Sequence, residues 1–320
     1  MKRKFSKAAV SKTTLLEAFN DYILEKKATG RSDSTIRNYE TSYKLFVEYH
    51  ELNNSFLLDD LTEKMFYQWR QDMIEREVRP QSINHYIRDW RTFLNWCAFR
   101  DIIEEPIKLK EMKAQEDKPK MYSDDEMTKM ITKPRDGDSY TIWRDWAIIS
   151  LVYSTGLRAS SICSLTIGCL DFKRGYISIP QQKNKKFGML PITQALERVL
   201  KEYLNKWLKN EPQEAYLFQT VTGEQFTVNA LYNSIERYCK RYGIKAHGIH
   251  SVRHNFTRQM LVNGANEIVI KEYLQHSSLE MTQHYVKLFA SDLKRDAESY
   301  NPLDTAKKKQ SRTSKFKKGN

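Results

Sequence analysis

The chain has 320 residues, with apolar residues at 40%, charged residues at 29% and aromatics at 12%, and only 11 Gly and 8 Pro. That profile is helix-rich and globular, and it excludes a disulfide-stapled miniprotein, a collagen-like repeat and a wholly disordered chain. The longest apolar run, Trp146 to Tyr153, is far short of the ~20 residues a membrane-crossing helix needs, and Met1 to Lys12 lacks the apolar core of a secretory signal, so a cytoplasmic protein with no membrane partner is expected. Cys97, Cys163, Cys169 and Cys239 form no CxxC pair and read as small core residues. The net charge of +13 is concentrated at the ends. Met1 to Lys12 carries five cations and Leu303 to Asn320 seven against Asp304, leaving about +2 for everything between. Bulk charge is therefore a weak pointer to nucleic acid, and local stripes have to decide.

From Thr13 to Arg100 the pattern predicts four amphipathic helices. The first carries Leu15, Leu16, Phe19, Tyr22 and Ile23, and the second, opened by Ser32-Asp33-Ser34, carries Ile36, Tyr39, Tyr43 and Phe46. The third runs from about Thr62 to Arg76. The fourth follows Arg79-Pro80 and places Ile83, Ile87, Trp90, Leu94 and Cys97 on a core stripe, with Asn84, Arg88, Arg91 and Asn95 on another face. Those four, with Arg37 and Lys44 of the second helix, are the candidate DNA contacts, since such donors suit phosphates and base edges. The alternative is an ordinary solvated stripe.

Between Pro106 and Lys120 the periodicity lapses and lysines accumulate, as in an exposed linker. Helices are then expected over Ser123–Ile131 and Ser139–Tyr153. A hairpin is expected from Tyr176–Ile179 and Gly188–Pro191 around the lysine-rich turn 181–186. Helical patterns return at Thr193–Leu208, Val228–Tyr242, His250–Val262, Glu267–Leu274 and about Leu279–Leu288. The expected division is a basic head at 1–12, a helical domain at 13–105, the linker at 106–120, a second domain at 121–300 and a basic tail at 301–320.

Five of the seven histidines, His247, His250, His254, His276 and His284, lie within 38 residues of one another, together with Arg253. His250 and His254 have the i,i+4 spacing of a zinc pair, but Ser251 stands where the HExxH signature has its glutamate and no third ligand is evident, so no metal is assigned. No glycine is followed by lysine, and GxGxxG and GxSxG are absent, which removes the signatures of P-loop, Rossmann and α/β-hydrolase chemistry. What remains is a set of cations with one candidate nucleophile. Arg158 follows Thr155-Gly156-Leu157, Lys183 sits in the hairpin turn, His250 and Arg253 are i,i+3, and His276 precedes Tyr285 by nine residues. Two arginines, a lysine and two histidines around a point suit a phosphorane with excess negative charge.

In this order the boxes resemble the catalytic domain of tyrosine recombinases, the integrases of phages and conjugative transposons and the chromosome-dimer resolvases, and are similar to type IB topoisomerases. Thr155-Gly156-Leu157-Arg158 resembles the first arginine box, Lys183 the hairpin lysine, and His250-Ser251-Val252-Arg253-His254 the HxxR box. Leu274-Gln275-His276, leading to Tyr285, resembles the LGH box and the nucleophile. Two positions depart, Ser161 where the family commonly has glutamate and Gln275 where it has glycine. The resemblance implies a mainly α fold, a four-helix core-binding bundle followed by an α-rich α+β catalytic domain with a small antiparallel sheet. It also implies a site-specific recombinase working through a 3′-phosphotyrosyl intermediate without ATP, metal or other cofactor. Tyr285 is then the nucleophile, Arg158, Arg253 and His276 hold the phosphate, Lys183 is the general acid and His250 manages a proton. The implied partners are duplex recombination sites, a homotetramer on DNA formed from free monomers, and an excision or accessory factor. Residues 291–299 are expected to form a helix that docks on a neighbouring protomer. The alternatives are a non-catalytic DNA-binding protein on the same fold and topoisomerase-like strand relaxation.

Overall fold

The computed structural model describes residues 13–113, 119–180, 188–275 and 278–289. The chain divides into two compact units, Met1–Asp117 and Lys118–Asn320. Among the described residues the first holds four α-helices, α1 (Leu15–Ala28), α2 (Asp33–Tyr49), α3 (Glu63–Glu75) and α4 (Pro80–Phe99). Thr14 and Glu17 form a reciprocal capping box at the start of α1, Ser32 accepts from the backbone of Thr35 at the start of α2, and Pro80 opens α4 where its missing N–H has no helical partner to lose. The core is aromatic. Phe46 meets Trp90 at a centroid distance of 4.5 Å and Phe66 at 4.6 Å, with Trp69 edge-on at 5.2 Å. One carboxylate enters this core, Asp89, which accepts from the Ser42 hydroxyl at 2.5 Å.

The exposed linker expected from Pro106 onward does not begin there. Leu109 is buried in the first unit's core, with Ile107 and Met112 packed against it. The stretch alternates inward apolar residues with exposed Lys108, Lys110 and Lys113. Such alternation is an extended strap covering a helix, and the lysine count masked it.

The second unit contains α5 (Asp124–Ile131), α6 (Tyr140–Thr155), α7 (Ala159–Ser164), strands β1 (Leu170–Asp171), β2 (Tyr176–Ile179) and β3 (Gly188–Pro191), then α8 (Gln194–Trp207), α9 (Val228–Arg241), α10 (Ile249–Val262), α11 (Glu267–Leu274) and α12 (Glu280–Leu288). The sheet is antiparallel in the order β1-β2-β3, with Ile177 opposite Leu190. The mainly helical architecture with a small antiparallel sheet is thus as the sequence implied. Neither α7 nor β1 was foreseen, because runs of six and two residues are too short to establish a period.

Helix α6 is the spine of this unit, buried on nearly every side and packed chiefly on α10 and α8. Its two buried charges satisfy each other. Arg144 donates to Asp145 at 3.1 Å, to the Ser234 hydroxyl at 2.7 Å and to the Gln219 carbonyl at 3.0 Å, with its guanidinium 4.0 Å from the Phe226 ring centroid. A spine fixed in this way sets where its C-terminal end, and hence Arg158, comes to lie.

Candidate active site

Gly156 ends α6 in the left-handed conformation, with φ of +66°, and its N–H bonds the Val152 carbonyl at 2.7 Å. Besides the strained φ, a Cβ here would stand 2.6 Å from Phe256 of α10 and 2.8 Å from Leu274 of α11, so only glycine lets this turn wedge against both helices. Two residues on, Arg158 occupies the N-cap position of α7. Helix α10 starts after Gly248 and brings His250 and Arg253 one turn apart on the same side.

Arg253, 5% exposed, donates to the carbonyl of Gly156 and, at 2.9 Å, to that of Leu274. Arg158 donates to the Gln275 carbonyl at 3.3 Å. The two guanidiniums therefore meet the carbonyl ends of α6 and α11, the negative poles of those helices, which offset the cost of burying cationic charge. Tyr285 comes from α12, anchored in a small cluster of Phe256, Leu261, Ile270, Leu274 and Phe289, and its hydroxyl accepts a hydrogen bond from Arg253. The end of α6 and the consecutive helices α11 and α12, more than a hundred residues further on, thus converge on one guanidinium.

The electrostatics follow from this burial. Burial, followed by the Arg158 charge, pulls Arg253 down to about 10, which leaves it cationic at neutral pH. Burial also lowers Arg158. Burial raises the Tyr285 phenol above its ordinary value, against the opposing pull of the Arg253 charge, the Arg253 hydrogen bond and the Arg158 charge. The DNA-free site therefore holds a neutral phenol. His250 is lowered by burial and then by Arg253 and Arg158.

His254 is held at about 4 by burial, His250, Arg253 and His284. Its ring centroid lies 5.5 Å from that of Tyr285, and its buried Nδ1 has no hydrogen-bond partner among the described residues. Because its folded-state value lies below the ordinary 6.5, the unfolded chain binds the proton more readily between about pH 6.5 and 4. Stability is expected to fall with acidity through that window, and His254→Phe to flatten the slope. Urea midpoints at stepped pH values measure this, and an unchanged slope in the variant refutes it.

Of the six catalytic candidates, Arg158, His250, Arg253 and Tyr285 come together, while Lys183 and His276 lie outside the described residues, as does 291–299. Gln275, in the place where glycine was expected, has φ of +51° and caps α11. Ser161 is buried on α7. His254 is the residue that sequence reasoning undervalued. Its i,i+4 relation to His250 raised a metal reading that was not adopted, and what the spacing did not signal is the position of its ring beside Tyr285.

The α4 stripe divides. Asn84 is not a surface donor, being 6% exposed and occupied with the strap, where its amide donates to the Met112 carbonyl at 2.9 Å and its oxygen accepts from the Met112 N–H at 2.8 Å. Helical periodicity placed it on the polar face correctly, but the strap that covers that position was read as solvent-exposed linker. Arg88 and Arg91 both reach Glu111, at 3.5 and 2.8 Å, and Asn95 is exposed. On α2, Arg37 bonds the Asp33 carbonyl at 3.4 Å and Lys44 pairs with Glu48 at 3.6 Å, both on the surface.

A bundle of this kind ahead of an α-rich domain, with two arginines and a tyrosine from separated boxes around one point, defines a class of DNA strand-transfer proteins. The sequence signature of the Phage integrase family spans residues 120–291 and that of the Phage integrase SAM-like domain residues 14–111, and the chain belongs to this family of tyrosine recombinases. It is 29% identical over 301 residues to the tyrosine recombinase XerA of Pyrococcus furiosus, covering 92% of this chain and 96% of that protein. XerC of Thermodesulfovibrio yellowstonii is 34% identical over 190 residues, covering 57% of this chain and 62% of that one. Among solved structures, the Tn1549 transposon integrase in complex with transposon right end DNA matches with a TM-score of 0.71 at 16% identity, over 89% of this chain and all of that one. The XerH site-specific recombinase bound to a palindromic difH substrate matches at 0.68 and 19% identity, over 91% of each chain. Among the described residues, no helix is long and apolar enough to cross a membrane.

Proposed function

We propose that the chain breaks and rejoins DNA at specific recombination sites through a covalent bond to Tyr285. The observation that carries this reading is the Tyr285 hydroxyl held by Arg253, which Arg158 accompanies at the ends of α6 and α11. In solution only about one phenol in a thousand is ionised near pH 7, and burial lowers that share further, so the proton must leave as the phosphate is attacked. The Tyr285 oxygen bonds the phosphorus and the bond to the 5′-oxygen breaks. The phenolic proton passes to a neighbouring base, for which neutral His250 is the closest fit to the sequence pattern. Lys183 supplies a proton to the departing 5′-oxygen. Arg158, Arg253 and His276 hold the non-bridging oxygens, a task suited to planar guanidinium forks.

The phosphotyrosyl ester conserves the energy of the broken one, so rejoining needs no ATP and no metal. Attack by a 5′-hydroxyl from a second site gives recombination, and that requires four protomers on two duplexes, assembled from monomers and served where needed by an accessory or excision factor. Arg37, Lys44, Arg88, Arg91 and Asn95 would contribute duplex contacts from the first unit. Incubation of the full chain with a library of nicked duplexes should yield a covalent adduct, and peptide mapping should place the nucleotide on Tyr285. Failure of every duplex to give an adduct, with binding intact, would favour the non-catalytic reading.

A further inference from the structure

The strap over α4 carries one acidic residue in a basic setting. Within 107–113, Ile107, Leu109 and Met112 pack on the first unit, and Lys108, Lys110 and Lys113 are exposed. The strap is tied at two further points, by Asn84 to Met112 and by Arg70, which donates to the Lys110 carbonyl. Glu111 stands between these ties. One carboxylate oxygen lies 2.8 Å from Arg91 and the other 3.5 Å from Arg88, so a single anion bridges two guanidiniums from successive turns of α4. All three side chains keep solvent access, at 51% for Arg88, 41% for Arg91 and 32% for Glu111.

An exposed ion pair contributes little to stability, and the strap is already fixed by its apolar residues and backbone bonds, so Glu111 is not needed to hold it. Two oxygens of one anion spanning two arginines is, however, the geometry of a phosphate contact. We propose that Arg88 and Arg91 form a seat for a backbone phosphate of duplex DNA, which Glu111 fills in the DNA-free chain and from which the phosphate displaces it. The inference rests on the reading of the α4 stripe as DNA-facing. It goes further, in making the seat self-occupied, so that an incoming phosphate competes with Glu111 for it.

The test is binding of the full chain to a mixed-sequence duplex across a salt series, read by fluorescence anisotropy. Glu111→Gln is expected to tighten binding about 1.5- to 5-fold. The slope of log affinity against log salt should stay close to wild type, because the phosphate contact forms in both proteins. Glu105→Gln, an equal change of charge on the exposed start of the same segment, controls for general repulsion and should tighten binding less. In an Arg88→Ala/Arg91→Ala background the effect of Glu111→Gln should shrink to that of Glu105→Gln. Weaker binding by Glu111→Gln, or an effect no larger than the control, overturns the proposal. If the double arginine variant binds as wild type does, the DNA-facing reading of the stripe itself fails, whereas its weakening beside an inert Glu111→Gln sinks only the self-occupied seat.

Discussion

Replacing Tyr285 by phenylalanine is expected to abolish covalent capture of a nicked duplex while leaving the fold and duplex affinity close to wild type. The ring keeps its place in the cluster with Phe289, whose centroid lies 6.2 Å away, and Arg253 keeps its bonds to the Gly156 and Leu274 carbonyls. Only the attacking oxygen is lost, so no residual route to a phosphotyrosyl ester remains at this position. Denaturing gels of suicide-substrate reactions read the adduct, and anisotropy reads binding. An adduct that persists in the variant would move the nucleophile elsewhere.

The second large effect is expected at Arg253. Arg253→Lys should slow strand cleavage by about 100- to 1,000-fold, the usual cost of losing one preorganised donor to a developing oxyanion. Lysine preserves the charge but concentrates it at one point, and it cannot span two carbonyls and the Tyr285 hydroxyl together. A buried carbonyl left without its donor should also reduce stability by about 1–3 kcal/mol. Single-turnover cleavage at saturating protein separates the kinetic loss from the structural one measured by urea unfolding. Wild-type cleavage in a destabilised variant would reduce Arg253 to a tie between helices.

How much of this was legible in the sequence depended on the kind of signal. The α4 core stripe of Ile83, Ile87, Trp90, Leu94 and Cys97 is buried as its four- and three-residue steps require, because a long amphipathic helix has one way to bury such a face. The hairpin strands, too, lie where their β-type runs end. Arg158, Arg253 and Tyr285 were identified from ordered motifs, but nothing local encoded the grip of the two arginines on the carbonyl ends of α6 and α11, which is a product of tertiary packing. The strap shows the opposite failure. Its composition suggested solvent, while its alternation of Ile107, Leu109 and lysines carried the packing, and with that missed, Asn84 was left on the wrong side of the surface. Burial of the Tyr285 phenol was equally out of reach, since it depends on the cluster around Phe289.

The left-handed Gln275 has one more effect, on how this chain can change over generations. Its amide leans on the first residue of β3, and a Cβ added at Gly188 would lie 2.0 Å from that amide's nitrogen. The atom met is the far end of a flexible side chain, so an alanine at 188 is accommodated once the Gln275 amide swings aside. Change at the hairpin is thus coupled to position 275 only through one movable amide, and substitution at either place can come first.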